Sequence, residues 1–305
     1  MSYQYSSFGL LIQSDLEFPE FVDCHFEYPD LIISIGKVPS KLKFSPLIEE
    51  PHECINDREY YLEVENVAKY YAFDGRELIV EYNSEADKRT IRIYLLATVM
   101  AAILHQRNSI PLHASSIKWK DGLVVISGES GAGKSTTVSG LLKSGYSIFS
   151  DDVLVLKQDE DQEVAALASY PLIKLWDDAI QKLQSELFES RDFVVKPGYE
   201  KFGFFFHEHF DVNPYYIKLI LVLKIKEVNH IEYKELQGGE AFKEFMAQSY
   251  RPNLLHSNAL RALNYAMLVS ILKNAKLVVV HRPPVCNPEE LLSHIETIIQ
   301  HEYPV

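Results

Sequence analysis

A glycine-rich stretch near the middle of the chain has the residue types and the spacing of a phosphate-binding loop. It consists, in order, of Gly128, Glu129, Ser130, Gly131, Ala132, Gly133, Lys134 and Ser135. This stretch matches the pattern G-x-x-x-x-G-K-[ST] in full. Its glycines let the backbone curl so that successive N–H groups point at phosphate oxygens. Together with the following Thr136, it is the predicted nucleotide-binding loop.

The sequence on both sides of the loop predicts the elements that such a loop requires. Leu123–Ser127 is a continuous apolar run that predicts a buried strand, and Lys134–Lys143 is predicted to be helical. The pair Asp121-Gly122 is a hairpin-turn signal, which would join Leu112–Trp119 to this strand. A strand before the loop and a helix after it distinguish a true phosphate loop from a chance match.

Two residues of the loop have expected roles toward a nucleotide. Lys134 can reach the β and γ phosphates, and the Ser135 hydroxyl is placed to bind Mg²⁺. ATP or another nucleoside triphosphate, together with Mg²⁺, is therefore the expected cofactor set. The loop does not choose a reaction, because ATPases, GTPases and kinases share it.

Two adjacent carboxylates, Asp151 and Asp152, follow the loop and its helix. Tyr146–Phe149, just before them, is predicted to be a strand. If that strand lies next to the loop strand, both aspartates lie at the edge of the sheet where ligands bind. One carboxylate could then hold Mg²⁺, while the other accepts the proton of an attacking hydroxyl.

A histidine and several cations complete the list of candidate site residues. His113 lies on the strand expected to pair with the loop strand, where an imidazole can tune proton movement at the γ-phosphate. By its type alone, it also fits a structural position on that strand. Phosphoryl transfer needs extra positive charge on the transferring group. Arg251 is the first candidate because it lies in a loop before a helix, followed by Lys196 and Arg282.

The block from His113 through the loop to Asp151-Asp152 resembles the catalytic core of HPr kinase/phosphorylase. That family has a histidine, a strand–turn–strand, a loop of the form G-[DE]-S-G-x-G-K-S, a helix and an Asp-Asp pair. The resemblance covers residues 112–156. It implies an α/β fold related to ATP-dependent phosphoenolpyruvate carboxykinase. It also implies that ATP and Mg²⁺ are used to phosphorylate a serine hydroxyl.

The same resemblance implies roles for the site residues. Asp151 would be the general base, and Asp152 would hold Mg²⁺ together with Ser135, although the order of the two aspartates stays open. His113 would lie close to the transferring phosphate. The later glycine-rich signature of the bifunctional enzyme is absent from the sequence, which argues against a true HPr kinase.

A second resemblance concerns the HPr-kinase-like enzymes that phosphorylate the C-terminal serine of lasso peptide precursors. The segment Tyr170-Pro-Leu-Ile-Lys-Leu-Trp resembles a Y-P-x-[IL]-[KR]-L-W segment of those kinases. It implies a peptide or small-protein partner with a serine acceptor. Lys174, within this segment, fits either a phosphate contact or a solvated lysine.

The chain divides by pattern into two parts. Residues 1–90 read as a β-rich N-terminal domain without a chemical motif, which would help to position the peptide. Strands and helices interleave over residues 91–305, beginning with a predicted helix at Ile91–His105. This second part is therefore the predicted α/β catalytic domain.

Composition excludes some classes of partner and leaves others open. The 305 residues carry a formal charge of −13, which would repel nucleic acid. The three scattered cysteines show no disulfide or metal spacing, which favours a reducing compartment. The most apolar stretch, Ile93–Leu104, is too short to span a bilayer. We therefore expect a cytoplasmic protein with no membrane or nucleic-acid partner, while homo-oligomer formation stays open.

Several functions remain compatible with the sequence. An HPr(Ser) kinase/phosphorylase, or a kinase of another small protein or of a small molecule, would use the same loop and carboxylates. An ATP-binding regulator that transfers nothing would need the loop alone. The pair Asp151-Asp152 argues against this last class.

Overall fold

The first part of the chain consists of short runs in which apolar and polar residues alternate, as they do in strands with one buried face. In a computed structural model, which describes residues 2–191, 193–195 and 198–302, these runs form a single sheet of nine strands. The strands are β1 (Tyr3–Ser7), β2 (Leu10–Ser14), β3 (Val22–Asp23), β4 (Leu31–Ile35), β5 (Ile48–Glu50), β6 (Glu53–Ile55), β7 (Glu59–Val64), β8 (Ala68–Phe73) and β9 (Glu77–Tyr82). Their order in the sheet is β3-β1-β2-β4-β9-β8-β7-β6-β5.

A helical stretch follows this sheet in the chain. It comprises α1 (Lys88–Tyr94), a π-helical turn (Leu95–Val99) and α2 (Met100–Gln106). Asp87 caps its first turn, because the Thr90 backbone N–H donates to the Asp87 carboxylate at 2.9 Å. The predicted helix over residues 91–105 is therefore confirmed, with a π-helical turn that the sequence pattern did not predict.

The helical stretch belongs with the nine-stranded sheet. The Tyr70 hydroxyl of β8 donates to the Ile91 carbonyl oxygen at 2.8 Å, and α2 packs against β7 and β8. The chain divides into two compact units. The first extends to Pro111 and also contains Tyr250–Tyr265, with a 3₁₀ turn at Pro252–Leu254. The predicted boundary near residue 90 falls inside this unit.

The second unit contains Leu112–Ser249 and the chain from Ala266 onward. Strand β10 (Ile110–Leu112) leads into it. Its strands are β11 (Ala114–Trp119), β12 (Gly122–Gly128), β13 (Ser147–Ser150), β14 (Leu154–Gln158), β15 (Val164–Ala168), β16 (Leu172–Trp176), β17 (Lys201–Phe205), β18 (Tyr215–Ile225), β19 (Glu232–Leu236) and β20 (Lys276–Arg282). Its helices are α3 (Lys134–Lys143), α4 (Asp177–Leu183), α5 (Gly238–Met246), α6 (Asn258–Asn274, which begins in the first unit) and α7 (Pro288–Glu302). Two 3₁₀ turns lie at Glu186–Phe188 and His207–His209. This unit is mixed α/β, as the sequence predicts.

The long apolar strand β18 is the centre of the second sheet. Six strands follow one another in the order β14-β15-β18-β12-β11-β13. β18 also pairs in parallel with β20, which in turn pairs with β19. The sheet packs against α3 and α7 through buried apolar side chains such as Val138 and Ile295. β16 and β17 form a separate two-stranded ribbon.

Four strands of this sheet run in the same direction, so their carboxyl ends lie at one edge of the sheet. β12 is parallel to β18, and β18 is parallel to β20. β13 is also parallel to β12, because each of them is antiparallel to the intervening β11. β13, the strand before Asp151, thus ends at the same edge as the loop strand without lying next to it. The turn at Asp121 folds β11 back onto β12, and β11 takes that place.

Helix content can be compared with the dimensions of a bilayer. Among residues 2–191, 193–195 and 198–302, none of the helices combines the length and the apolar character that crossing a membrane requires.

The buried His105 of α2 should make the stability of the first unit depend on pH. This residue is 2% exposed, and burial, which outweighs a hydrogen bond to the Leu254 backbone, lowers its pKa from 6.5 to about 4. As the pH falls, the unfolded chain binds a proton near pH 6.5 and the folded unit only near pH 4. The contribution of His105 is therefore complete above pH 6.5 and is lost across this window.

We expect the free energy of unfolding in urea to fall by up to about 3 kcal/mol more in the wild type than in His105→Leu between pH 6.5 and 4. His301→Leu is the matched control, because its side chain is 71% exposed. An identical pH dependence in the wild type and His105→Leu would contradict the assignment to His105.

Candidate functional site

The predicted phosphate loop lies between a strand and a helix, as its sequence requires. β12 ends at Gly128, and α3 begins at Lys134. Gly128, Gly131 and Gly133 have φ angles of 141°, 83° and 108°, which side chains rarely tolerate. A Cβ atom at Gly128 would collide with the Leu223 carbonyl oxygen of the neighbouring β18. The glycines are therefore required by the backbone path, and not only by a ligand.

Lys134 folds back over this loop. Its Nζ donates to the carbonyl oxygens of Gly128 at 2.8 Å and Glu129 at 3.3 Å. The side chain is buried, and burial lowers the pKa of its ammonium even though Asp152 and Asp151 oppose the shift. Both of these acceptors are neutral carbonyl oxygens, and within the described residues no carboxylate forms an ion pair with Lys134.

Arg282 braces the same loop from the end of β20. Its Nε donates to the Ala132 carbonyl oxygen at 2.9 Å, and its Nη2 donates to that of Gly131 at 3.1 Å. The sequence included Arg282 only as a lower candidate for charge on the transferring phosphate. Its guanidinium instead satisfies two carbonyl oxygens of the loop, which ties the loop to β20.

Asp151 is fully buried beside the end of the loop. One carboxylate oxygen accepts hydrogen bonds from the hydroxyls of Ser135 at 2.9 Å and Ser115 at 2.5 Å. The other accepts from the Lys174 backbone N–H at 3.1 Å. All these donors are neutral, and across the described part of the chain no cationic side chain forms an ion pair with Asp151.

These oxygens fit a magnesium ion. Mg²⁺ prefers oxygen ligands and usually takes one or two carboxylates together with phosphate oxygens. A buried carboxylate that has only neutral partners and a loop hydroxyl at 2.9 Å forms such a donor set. If Mg²⁺ binds here, Ser135 and Asp151 would hold it.

Asp152 has the opposite environment. Its φ angle is 70°, and its side chain is 27% exposed. The carboxylate lies 2.7 Å from the Lys174 ammonium and 3.6 Å from Nδ1 of His113. Burial alone would raise the pKa of Asp152, but the charges of Lys174 and His113 outweigh it and hold this pKa well below its usual range. Asp152 is therefore an accessible anion.

His113 lies immediately before β11, and not within the strand as predicted. Its Nδ1 is 3.0 Å from the Asp152 carbonyl oxygen. Because a carbonyl oxygen only accepts, Nδ1 carries the proton in this hydrogen bond. Burial lowers the pKa of the imidazole, although Asp152 opposes the shift. Through this hydrogen bond the His113 ring supports the backbone at Asp152.

Lys174 is not a solvated lysine. Its Nζ bonds to Asp152 and also lies 2.9 Å from the hydroxyl oxygen of the buried Tyr170. These two groups raise the pKa of Lys174 well above its usual range, although its burial acts to lower it. The lysine of the Tyr170–Trp176 segment is thus an ion-pair partner of a candidate site residue.

Two other cations, Arg251 and Lys196, were also predicted from the sequence. Arg251 belongs to the first unit, where its guanidinium carbon lies 5.7 Å from the centre of the Tyr250 ring. Lys196 lies outside the described residues. Glu129 and Ser130 are exposed on the phosphate loop, and Thr136 is half-buried in the first turn of α3.

Lys201 of β17 is a candidate that the sequence reasoning missed. Its charge contributes to the lowered pKa values of both Lys134 and Asp152, after the larger effects of burial and closer groups. Only the pairing of β16 with β17 brings Lys201 near these residues. No local sequence pattern marks such a contact.

Comparisons with known proteins add little to this geometry. No protein-family model and no curated protein matches the chain. Among solved structures, the HPr(Ser) kinase/phosphatase from Coxiella burnetii is similar with a TM-score of 0.29 and 15% sequence identity. That similarity covers 63% of this chain and 94% of the other. A TM-score of this size carries no argument, so the function has to be inferred from the site.

Removal of the Arg282 brace should weaken nucleotide binding without unfolding the protein. In Arg282→Gln the bonds to the Gly131 and Ala132 carbonyl oxygens are lost, and the loop can leave its phosphate-binding shape. We expect the Kd for Mg-ATP, measured by titration calorimetry, to rise by roughly tenfold or more.

The exposed Arg58 of the first unit, which pairs with Asp74, offers a matched control. Arg58→Gln should leave the Kd unchanged. Equal affinities for the wild type and Arg282→Gln would show that the loop keeps its shape without the brace.

Proposed function

We propose that the protein is an ATP- and Mg²⁺-dependent kinase that transfers the γ-phosphoryl group to a serine hydroxyl. The observation that carries the proposal is the unequal pair of carboxylates beside the phosphate loop. Asp151 is buried and accepts a hydrogen bond from Ser135, whereas Asp152 is partly exposed and paired with Lys174. A phosphoryl-transfer site needs one carboxylate on the metal side and another that can reach the acceptor.

The geometry favours an assignment of the aspartates opposite to the one that the family resemblance implies. The Asp151 carboxylate is fully buried and accepts three hydrogen bonds inside the protein, so it offers little access to an incoming hydroxyl. The Asp152 carboxylate is partly open to solvent. We therefore assign Asp151, together with Ser135, to magnesium, and Asp152 to the acceptor hydroxyl.

Each step can then be given to groups of this chain. The N–H groups of the phosphate loop and Lys134 hold the phosphates, while bound Mg²⁺ would neutralise part of their charge. Asp152 accepts a hydrogen bond from the serine hydroxyl and orients its oxygen toward the γ-phosphorus. A new bond forms between this oxygen and phosphorus, the bond to the β,γ-bridging oxygen breaks, and ADP leaves with the electron pair.

A strongly depressed pKa of Asp152 is compatible with this role. In a loose transition state the hydroxyl keeps its proton until the new bond is well advanced, so a strong base is not required. The phosphorylated oxygen is then very acidic and releases its proton to Asp152. From there the proton passes to water, because the pKa of Asp152 is held below its usual range.

The acceptor of the phosphoryl group is inferred from the sequence. We propose a peptide or small protein, and specifically the C-terminal serine of a lasso peptide precursor. The support is the resemblance of the segment Tyr170–Trp176 to those kinases, together with the contact that its Lys174 makes with Asp152.

A transfer assay with γ-labelled ATP tests this function. The acceptor panel contains a precursor peptide that ends in serine, the same peptide with alanine at that position, HPr, and free serine. We expect label on the serine peptide alone. Label on HPr would redirect the acceptor assignment, and ATP binding without transfer to any acceptor would contradict the kinase proposal.

Asparagine variants separate the roles of the two aspartates. We expect Asp152→Asn to lower kcat by about 10²-fold or more with little change in the Kd of Mg-ATP, because the acceptor loses its proton partner. Asp151→Asn should instead raise the Mg²⁺ concentration needed for half-maximal activity. Steady-state kinetics over a range of Mg²⁺ concentrations measures both effects.

The exposed Asp161 of the same unit provides the control variant Asp161→Asn, which should behave as the wild type. Exchange of the two phenotypes between Asp151→Asn and Asp152→Asn would reverse the assignment. Wild-type activity in both variants would remove the carboxylates from the mechanism altogether.

A further inference from the structure

The ribbon formed by β16 and β17 presents two unlike faces. Its register places Leu172 opposite Phe205, Lys174 opposite Gly203 and Trp176 opposite Lys201. Because side chains alternate along a strand, these six residues share one face. The other face, which includes Ile173 and Phe204, is buried in the core of the second unit.

Lys174 shows where the first of these faces lies. Its Nζ contacts Asp152 at 2.7 Å, so this face is directed toward the carboxylate that we assign to the acceptor. Lys201 is the diagonal neighbour of Lys174 across the ribbon, which corresponds to a Cα separation of about 7–8 Å. Lys201 thus projects from the ribbon on the same side as the Asp152 carboxylate.

The ammonium of Lys201 is held in place without being neutralised. Its Nζ lies 5.5 Å from the centre of the Trp176 ring. Trp176 is itself 47% exposed to solvent. Over residues 2–191, 193–195 and 198–302, Lys201 forms no ion pair and its Nζ forms no hydrogen bond. An aromatic face orients a cation but leaves its N–H groups able to bind an anion.

The position of Lys201 relates it to both sides of the transfer reaction. Its diagonal neighbour Lys174 contacts Asp152, which we place on the acceptor side, and the Lys174 backbone N–H donates to Asp151. Asp151 in turn accepts from Ser135 of the phosphate loop, which belongs to the nucleotide side. In an in-line transfer, the phosphoryl group passes between these two sides. A cation on this face of the ribbon is placed to meet the transferring group.

We propose that Lys201, seated on Trp176, binds the γ-phosphoryl group of ATP and stabilises its negative charge during transfer. This proposal rests on the function proposed above and adds a cation to it. Lys201 would be a catalytic residue because it contacts the reacting group, and Trp176 would be a positioning residue that acts through Lys201. The role is the one for which the sequence reasoning selected Arg251.

Comparison of ATP with ADP tests the contact without an acceptor. We expect Lys201→Met to weaken Mg-ATP binding by roughly tenfold or more, while the Kd of Mg-ADP changes less than about twofold, because only ATP has the γ-phosphate. Lys201→Arg keeps the charge and should retain most of the preference for ATP. Titration calorimetry gives both constants, and retained ADP binding shows that each variant is folded.

Lys157→Met is the matched control, since Lys157 is an exposed lysine on β14 of the same unit. It should leave both constants unchanged. Equal loss of ATP and ADP affinity in Lys201→Met, or no loss of either, would overturn the proposal.

Kinetics with an acceptor that the wild type phosphorylates adds a second arm. We expect Lys201→Met to lower kcat by about 10²-fold or more with an unchanged acceptor KM, as for other groups that stabilise transition-state charge. A raised acceptor KM with unchanged kcat and ATP affinity would mean that Lys201 binds an anionic group of the acceptor, and would overturn the proposal. If the wild type transfers no phosphate, the kinase function fails, while a selective loss of ATP affinity in Lys201→Met would still support the γ-phosphate contact.

Discussion

A carboxylate that has no exposed surface must receive hydrogen bonds from its surroundings, since an unpaired buried charge is costly. Three groups donate to Asp151: the hydroxyl of Ser115 in β11, the hydroxyl of Ser135 at the start of α3, and the backbone N–H of Lys174 in β16. These three elements are far apart along the chain. A single buried side chain therefore connects the phosphate loop, the adjacent strand and the two-stranded ribbon, and the rest of the site depends on that connection.

Asp152, which follows Asp151 in the chain, shows how strongly backbone geometry can separate two identical side chains. The positive φ angle of Asp152 turns the chain, so that its carboxylate leaves the buried cluster and meets Lys174 and His113. One aspartate thus has neutral donors, and the other has cationic partners. This difference in environment is what allows two adjacent carboxylates to be assigned to different tasks.

The sheet of the second unit positions both Asp151 and Asp152. β12, β13, β18 and β20 are parallel, and their carboxyl ends meet at one edge. The loop follows β12, the aspartates follow β13, and Arg282 reaches the loop from the end of β20. β18 contributes through its backbone, because the Leu223 carbonyl oxygen leaves no room for a side chain at Gly128. Binding groups and bracing groups therefore lie at the same edge for the same topological reason.

Local chemistry explains which parts could be predicted from the sequence alone. The phosphate loop is defined by glycines that need positive φ angles and by an adjacent Lys-Ser pair, so one short segment contains all of its information. The start of α7 also depends on local sequence, because the Asn287 side chain accepts a hydrogen bond from the Glu289 backbone N–H at 2.9 Å. The hairpin of β11 and β12 follows from the turn at Asp121-Gly122.

The tertiary structure decided what surrounds the loop. The turn at Asp121 predicted that β11 pairs with β12, but no residue indicated that β13 lies on the far side of β11. The contacts of Lys174 and Lys201 depend on the register between β16 and β17, which are separated by a long stretch of chain. Strand pairing joins residues that are distant in sequence, and a single sequence has no local pattern that records such a register. The sequence therefore determined the phosphate-loop motif and its glycines, whereas the fold decided which charged side chains lie around that loop.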